Sequence, residues 1–156
     1  MRGKIRRTIR AAGPEVGEEV LRSAPVGHLG TVGADGYPYV VPLTFAWVNG
    51  KVYWHSALEG DKLDNLRREP RVCFEALDYL GLNHCDDPCE AGVGYRSVVI
   101  FGRAREVPDG PEKLEALKAI VKRYGMAGPI PDRKVGSCAV VAIDPEVITA
   151  KFAPRQ

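Results

Sequence analysis

The sequence has no apolar run approaching the ~20 residues a membrane-spanning helix requires, so no membrane partner is expected. It contains no G-x-G-x-x-G turn, no Walker loop and no G-x-S-x-G elbow. These gaps argue against dinucleotide, P-loop and serine-hydrolase chemistry. Histidine is scarce: His28, His55 and His84 stand on separate segments, and no H-x-x-x-H pair occurs. The basic N-terminus is not followed by an apolar stretch, so a secretory signal is not read there. A cytoplasmic setting follows by default, and Cys73, Cys85, Cys89 and Cys138 are expected as thiols. His84, Cys85, Asp86 and Cys89 put metal-ligand types on one loop. No second ligand pair of similar clarity accompanies them, and no metal is expected. Repeats, low-complexity tracts and a dividing linker are also absent.

What is present fits one domain with a proper core: 156 residues, 45% hydrophobic and 27% charged. The net charge of +2 is unevenly spread. Arg2, Lys4, Arg6, Arg7 and Arg10 fall in the first ten residues without an acid, leaving 17 basic against 20 acidic side chains in the rest. Residues 1–14 read as a basic, solvated arm and 15–156 as a single domain. Nucleic acid is not expected as a partner.

Asn49-Gly50 between alternating apolar runs predicts a hairpin, because a type I′ turn needs positive φ at both central positions. Six or seven strands are expected: His28–Val32, Tyr37–Val48, Lys51–Ala57, Arg71–Leu77, Tyr95–Val107 and Lys134–Ile143, with Ile148–Phe152 as the seventh. Pro38 and Pro42 make Tyr37–Val48 an edge, a bulge or a segment facing a ligand. Leu80–Gly92 reads as a thirteen-residue loop. Helices are expected at Glu15–Ser23, Gly60–Arg68 and Asp109–Tyr124. In the last, Asp109 and Glu112 form a box-like D-x-x-E, and Leu114, Leu117, Val121 and Tyr124 make the buried stripe. Closely spaced hairpins favour antiparallel pairing and a closed or half-closed barrel.

The chemistry concentrates where the third strand meets the second helix. Ser56, Lys62 and the free N–H groups of a helix start lie within a few residues, which is what a phosphate needs. Tyr95-Arg96-Ser97 brings a second hydroxyl and a guanidinium suited to bidentate phosphate contact. A blander reading stands beside this one: Ser56 bonds locally, Lys62 is a solvated helix lysine and His55 is a structural strand-end residue.

The segments GHLGTVGADGYPYVVPLTFAW, VYWHSALEGDKLDNLRREPRVCFE and YRSVVIFGRAREV resemble the pyridoxamine 5′-phosphate oxidase-like, FMN-binding split-barrel family, nearest to its nitroimidazole-resistance branch. The resemblance covers about Val20 to Tyr124. It implies an α+β fold: a six-stranded antiparallel split barrel with two or three flanking helices. It also implies a homodimer with FMN at two sites near the subunit interface. The strand Val41, Pro42, Leu43, Thr44 and Phe45 would run along the isoalloxazine ring. His55, Ser56, Lys62, Arg96 and Ser97 would lie near ring or phosphate, with Tyr53 completing the cofactor-binding set and His55 as the catalytic residue. The implied activity is electron transfer from reduced FMN to a small-molecule acceptor. No C-terminal basic segment resembles the substrate-phosphate site of pyridoxamine phosphate oxidase, so that oxidation is not expected. The alternatives are a non-catalytic flavin or haem binder, or an F420-dependent reductase.

Overall fold

The computed structural model describes residues 3–126 and 128–155; Met1, Arg2, Ala127 and Gln156 lie outside them. One sheet carries the fold. Its strands are β1 (Ala11–Ala12), β2 (Gly27–Val32), β3 (Pro38–Leu43), β4 (Ala46–Val48), β5 (Lys51–Ser56), β6 (Arg71–Asn83), β7 (Gly92–Glu106) and β8 (Ala139–Ala153). The helices are α1 (Pro14–Ser23), α2 (Asp61–Arg68), α3 (Pro111–Arg123) and the single turn α4 (Asp132–Val135). Every pairing is antiparallel. The order is β3-β2-β6-β7-β8-β5-β4, with β1 added to β8.

Sequence distance forces this sheet to close. β3 and β4 stand at opposite ends of the strand order, yet only Thr44 and Phe45 separate them. Three peptide steps span at most about 11 Å. The sheet therefore curls until its two edges meet, which makes a barrel split along the seam between them. Alternation along each strand sorts the side chains. Val41, Leu29, Phe74 and Ile100 form one cross-strand row facing the interior, and the last three are fully buried. The neighbouring row, Val40, Gly30, Cys73, Phe101 and Val147, crosses five strands on the outside. Val20 and Leu21 of α1, its C-cap Ala24, and Leu63 and Leu66 of α2 join Trp54, Phe45 and Phe74 in the interior core. Each such large apolar side chain contributes roughly 1.5–3 kcal/mol by leaving water. On the other side of the sheet, Ala116, Leu117 and Ile120 of α3 cover Ala46, Tyr53, Val140 and Ala142.

The expected hairpin forms, with Asn49 at φ 50°, Gly50 at φ 74° and Val48 opposite Lys51. Several boundaries differ from expectation. The long second strand breaks at Thr44–Phe45 into two edge strands, and β3 is the edge its prolines suggested. The hairpin of β6 and β7 extends to Asn83 and from Gly92, so the thirteen-residue loop shrinks to 84–91. The last two expected strands are one. Asp144-Pro145 does not end β8, because the ladder shifts register beside Gly102. A Cβ at Gly102 would sit 2.4 Å from the Asp144 carbonyl oxygen, so only glycine lets the backbones approach there. In α3 the N-cap is Gly110, one residue past Asp109. Asp109 instead pairs with Lys113 (2.7 Å), and the buried face turns to Lys113, Ala116, Leu117 and Ile120. Part of the basic arm is attached to the barrel: Ala11 and Ala12 pair with Lys151 and Ala150 of β8, while Lys4, Arg6 and Arg7 are exposed. Among the described residues, no helix is long and apolar enough to cross a membrane.

Candidate functional site

The seam opens into a cleft of about 460 Å³ lined by Val41, Pro42, Leu43, Thr44, His55, Ser56, Ala57 and Lys62. Three elements build it. The first is the C-terminal half of β3, which pairs only with β2, so its other backbone edge is open. Pro38 and Pro42 are four residues apart and take the same side of the ladder. An open edge tolerates their missing N–H groups. The second is the end of β5. Val52 and Trp54 point into the barrel and Tyr53 points outward beneath α3. His55 shares Tyr53's side and is exposed. Ser56 follows and donates its hydroxyl proton to the Ala57 carbonyl (2.8 Å).

The third element is the N-terminus of α2. Its N-cap is Gly60, which supplies no side-chain cap. The Gly60 carbonyl accepts from the N–H groups of Leu63 (2.8 Å) and Asp64 (3.2 Å). The Asp61 and Lys62 N–H groups have no protein partner among the described residues, as the first turn of a helix dictates. Lys62 is half-buried in that turn, and its ammonium pairs with no carboxylate among the described residues. Lys62 thus brings a cation to the cleft at the positive end of a helix, which is the chemistry of an anion cradle; Asp61 lines the neighbouring hollow instead. The open strand edge beside it suits a flat ligand that exchanges hydrogen bonds with the backbone.

Two larger hollows lie elsewhere and carry less chemistry. One, of about 550 Å³, lies against Val40, Cys73 and Phe101 on the outer sheet face. Its Arg71 is held by Glu69 (2.6 Å). The other, of about 500 Å³, sits beside Tyr37, Tyr39, Asp61 and Asp64. Its Arg68 is bonded to the Val32 carbonyl and to Asn65. Among the described residues of these three hollows, Lys62 is the cation with neither an ion pair nor a hydrogen bond, whereas Arg71 and Arg68 are both held.

Of the residues singled out in the sequence, seven line this cleft: Val41, Pro42, Leu43, Thr44, His55, Ser56 and Lys62. Ala57 joins them, although nothing in its side chain marks it. Phe45 turns its ring into the core, edge-on to Phe74 at 4.9 Å, so only its backbone adjoins the cleft. Tyr53 is not part of it. The residue is 5% exposed and its hydroxyl donates to Glu112 (2.9 Å). Burial, then the bond to the Glu112 carboxylate, pushes its pKa up to about 12. Arg96 and Ser97 also lie outside the cleft within one chain. They pair with Phe152 and Lys151 near the far end of β8, whereas Ser56 pairs with Ala139 at its start. Arg96 is ion-paired to Glu19 (2.6 Å) and Asp78 (3.0 Å), and Ser97 is buried. Cys85 and Cys89 are exposed on the 84–91 loop. Among the described residues no three His, Cys, Asp or Glu side chains gather as a metal site.

Several known proteins are similar to this chain in fold or sequence. A protein from Bacteroides thetaiotaomicron, described as a candidate 5-nitroimidazole antibiotic resistance protein, superposes with a TM-score of 0.79 at 26% identity, covering 90% of this chain and 85% of that one. An FAD-binding protein from Mesorhizobium loti does so at 0.68 and 27% identity, covering 92% and 97%. A flavocytochrome from Azotobacter vinelandii shares the fold at 0.85 and 23% identity, covering 99% and 76%. A sequence relative of uncharacterised function from Rhizobium meliloti is 30% identical over 74 residues. That match spans 47% of this chain and 42% of the relative's length. A family profile described as pyridoxamine 5′-phosphate oxidase matches residues 15–152. Because that match runs from α1 to the end of β8, the chain belongs to the pyridoxamine 5′-phosphate oxidase family.

Proposed function

We propose that the chain is an FMN-binding oxidoreductase that passes electrons from reduced FMN to a small acceptor. The observation that carries this reading is the unpaired Lys62 at the uncapped start of α2, beside the open edge of β3. Lys62 and the Asp61 and Lys62 N–H groups would hold the phosphate, and Ser56 would join them by rotating its hydroxyl away from Ala57. The backbone of Val41 to Thr44 would line the ring, with Val41 and Leu43 already fixed against the core. A bound flavin supplies the redox chemistry, and the protein supplies position and access. His55, exposed at the rim, is placed to give or orient a proton for the acceptor. The family membership and the flavin-binding relative from Mesorhizobium loti support a flavin rather than another ligand.

A homodimer belongs to the same proposal. The outer row from Val40 to Val147 is an apolar stripe across five strands, and Val40 is 62% exposed. One Lys is also a meagre match for a phosphate monoester of about −1.5 to −2 charge. Arg96 or another cation would have to come from a second copy. An absorbance spectrum of freshly purified protein, followed by extraction and identification of the chromophore, tests the reading. FMN bands support it; a Soret band, a deazaflavin spectrum or FAD would redirect it, and no uptake of added flavin would end it.

A further inference from the structure

We propose that Arg123 and Tyr124, at the end of α3, are positioning residues that fix the Thr44–Phe45 junction and thereby the strand wall of the cleft. This rests on reading the cleft as a flavin site.

The junction is a mechanical weak point. It joins the two edges of the split barrel, so neither residue belongs to a strand. Thr44 lines the cleft, and the next residue, Phe45, is fully buried. A buried N–H with no ladder partner must find another acceptor. Phe45 finds it outside the sheet: its N–H donates to the Tyr124 hydroxyl oxygen (3.2 Å). That hydroxyl donates in turn to the Pro25 carbonyl (2.8 Å). Tyr124 therefore ties the junction to the segment leaving α1.

Arg123 grips the same place from the side. Its guanidinium carbon lies 4.3 Å from the Phe45 ring centre, within cation–π range. The same group donates to the carbonyls of Leu21 (2.6 Å) and Ala24. Leu21 is in the last turn of α1, where helix carbonyls lack intrahelical partners. The last residue of α3 and its C-cap thus bind the end of α1 to both the backbone and the ring of Phe45. Neither touches the cleft. They act through Phe45 on the stretch Val41 to Thr44, whose register against a ring depends on where the junction is held.

The test uses the full chain. FMN affinity, the visible absorption and circular dichroism of bound FMN, and the melting temperature of the flavin-free protein are measured for wild type and Tyr124→Phe. Ile120→Val, a buried change one turn earlier in α3, serves as the stability control. We expect Tyr124→Phe to weaken FMN by about ten-fold, the scale of one net hydrogen bond, and to alter the bound-flavin spectrum. Ile120→Val is expected to lower the melting temperature with FMN affinity and spectrum unchanged. If Tyr124→Phe does not fold, Arg123→Lys is read in its place, since it keeps the charge but loses the planar fork. Wild-type affinity and spectrum in the variant read would overturn this proposal. So would equal losses in Ile120→Val. A wild-type protein that takes up no flavin would instead overturn the cleft reading itself.

Discussion

The Tyr53 hydroxyl donates to Glu112 across 2.9 Å, joining β5 to the first turn of α3. Glu112 also receives Arg105 (2.5 Å), and Arg105 and Lys51 share Asp144. Five side chains thus fasten α3 to the sheet. Free tyrosine ionises near pH ~10, and folded Tyr53 does so at about 12. A raised pKa means that the contribution is complete below the unfolded value and is lost as pH rises through the folded one. Glu112 has the opposite sign. Hydrogen bonding from Arg105 outweighs burial and holds its carboxyl below the usual range, so its contribution is lost as pH falls through that lowered value.

Tyr53→Phe removes the alkaline part of this effect. It should cost about 0.5–1.5 kcal/mol at neutral pH. Between pH 10 and 12 the wild type should lose stability relative to the variant, so the two curves converge. Urea melts across that window make the measurement, and curves that stay parallel would remove Tyr53 from the alkaline response.

Lys62→Ala should weaken FMN by about ten-fold or more while leaving riboflavin nearly unchanged, since charge-assisted bonds of roughly 1.5–3 kcal/mol reach only the phosphate. Fluorescence titration with both ligands separates the cases. Equal losses for the two would take Lys62 out of the phosphate role.

These residues differ in how plainly the sequence announces them. Asn49-Gly50 has a local cause, the positive φ of both residues, and the hairpin follows from it. The prolines of β3 announce an edge, a bulge or a ligand-facing segment, and β3 takes the edge. Lys62 and Ser56 are close in sequence, so chain geometry alone brings them to one cleft. Arg96 shares no such constraint. Its place depends on the pairing of β7 with β8, and this carries it away from Ser56 toward Glu19 and Asp78. The D-x-x-E pattern at the start of α3 failed for a more local reason. Both carboxylates found nearby cations, Lys113 four residues on for Asp109 and Arg105, at the end of β7, seven residues back for Glu112. Contacts such as Tyr124 with Phe45 join positions far apart in the chain, and no spacing rule anticipates them.

His55→Ala should retain FMN, because the imidazole makes no bond that holds the cleft together among the described residues. If His55 transfers a proton in the transition state, acceptor reduction should slow by roughly 10²–10⁴-fold. Anaerobically reduced protein is mixed with quinones or nitroaromatics, and reoxidation is followed at the flavin band. A variant as fast as wild type would leave His55 with no chemical part.

The outer sheet face is where a second copy would bind. Val40, Cys73, Phe101 and Val147 lie in one row, and the hollow against the first three is about 550 Å³. A second copy related by a two-fold axis would meet the same stripe with its own, as an isologous contact requires. Light scattering should then give about twice the 17.0 kDa chain mass. Val40→Glu sets a charge into that contact. Because Val40 is 62% exposed in the single chain, the change should leave the monomer's fold intact while dissociating the pair. If the partner supplies a phosphate-binding cation, FMN affinity must fall together with the mass. A monomeric Val40→Glu protein that binds FMN as wild type does would show that one chain completes the site by itself, with Lys62 and the α2 N-terminus sufficient for the phosphate.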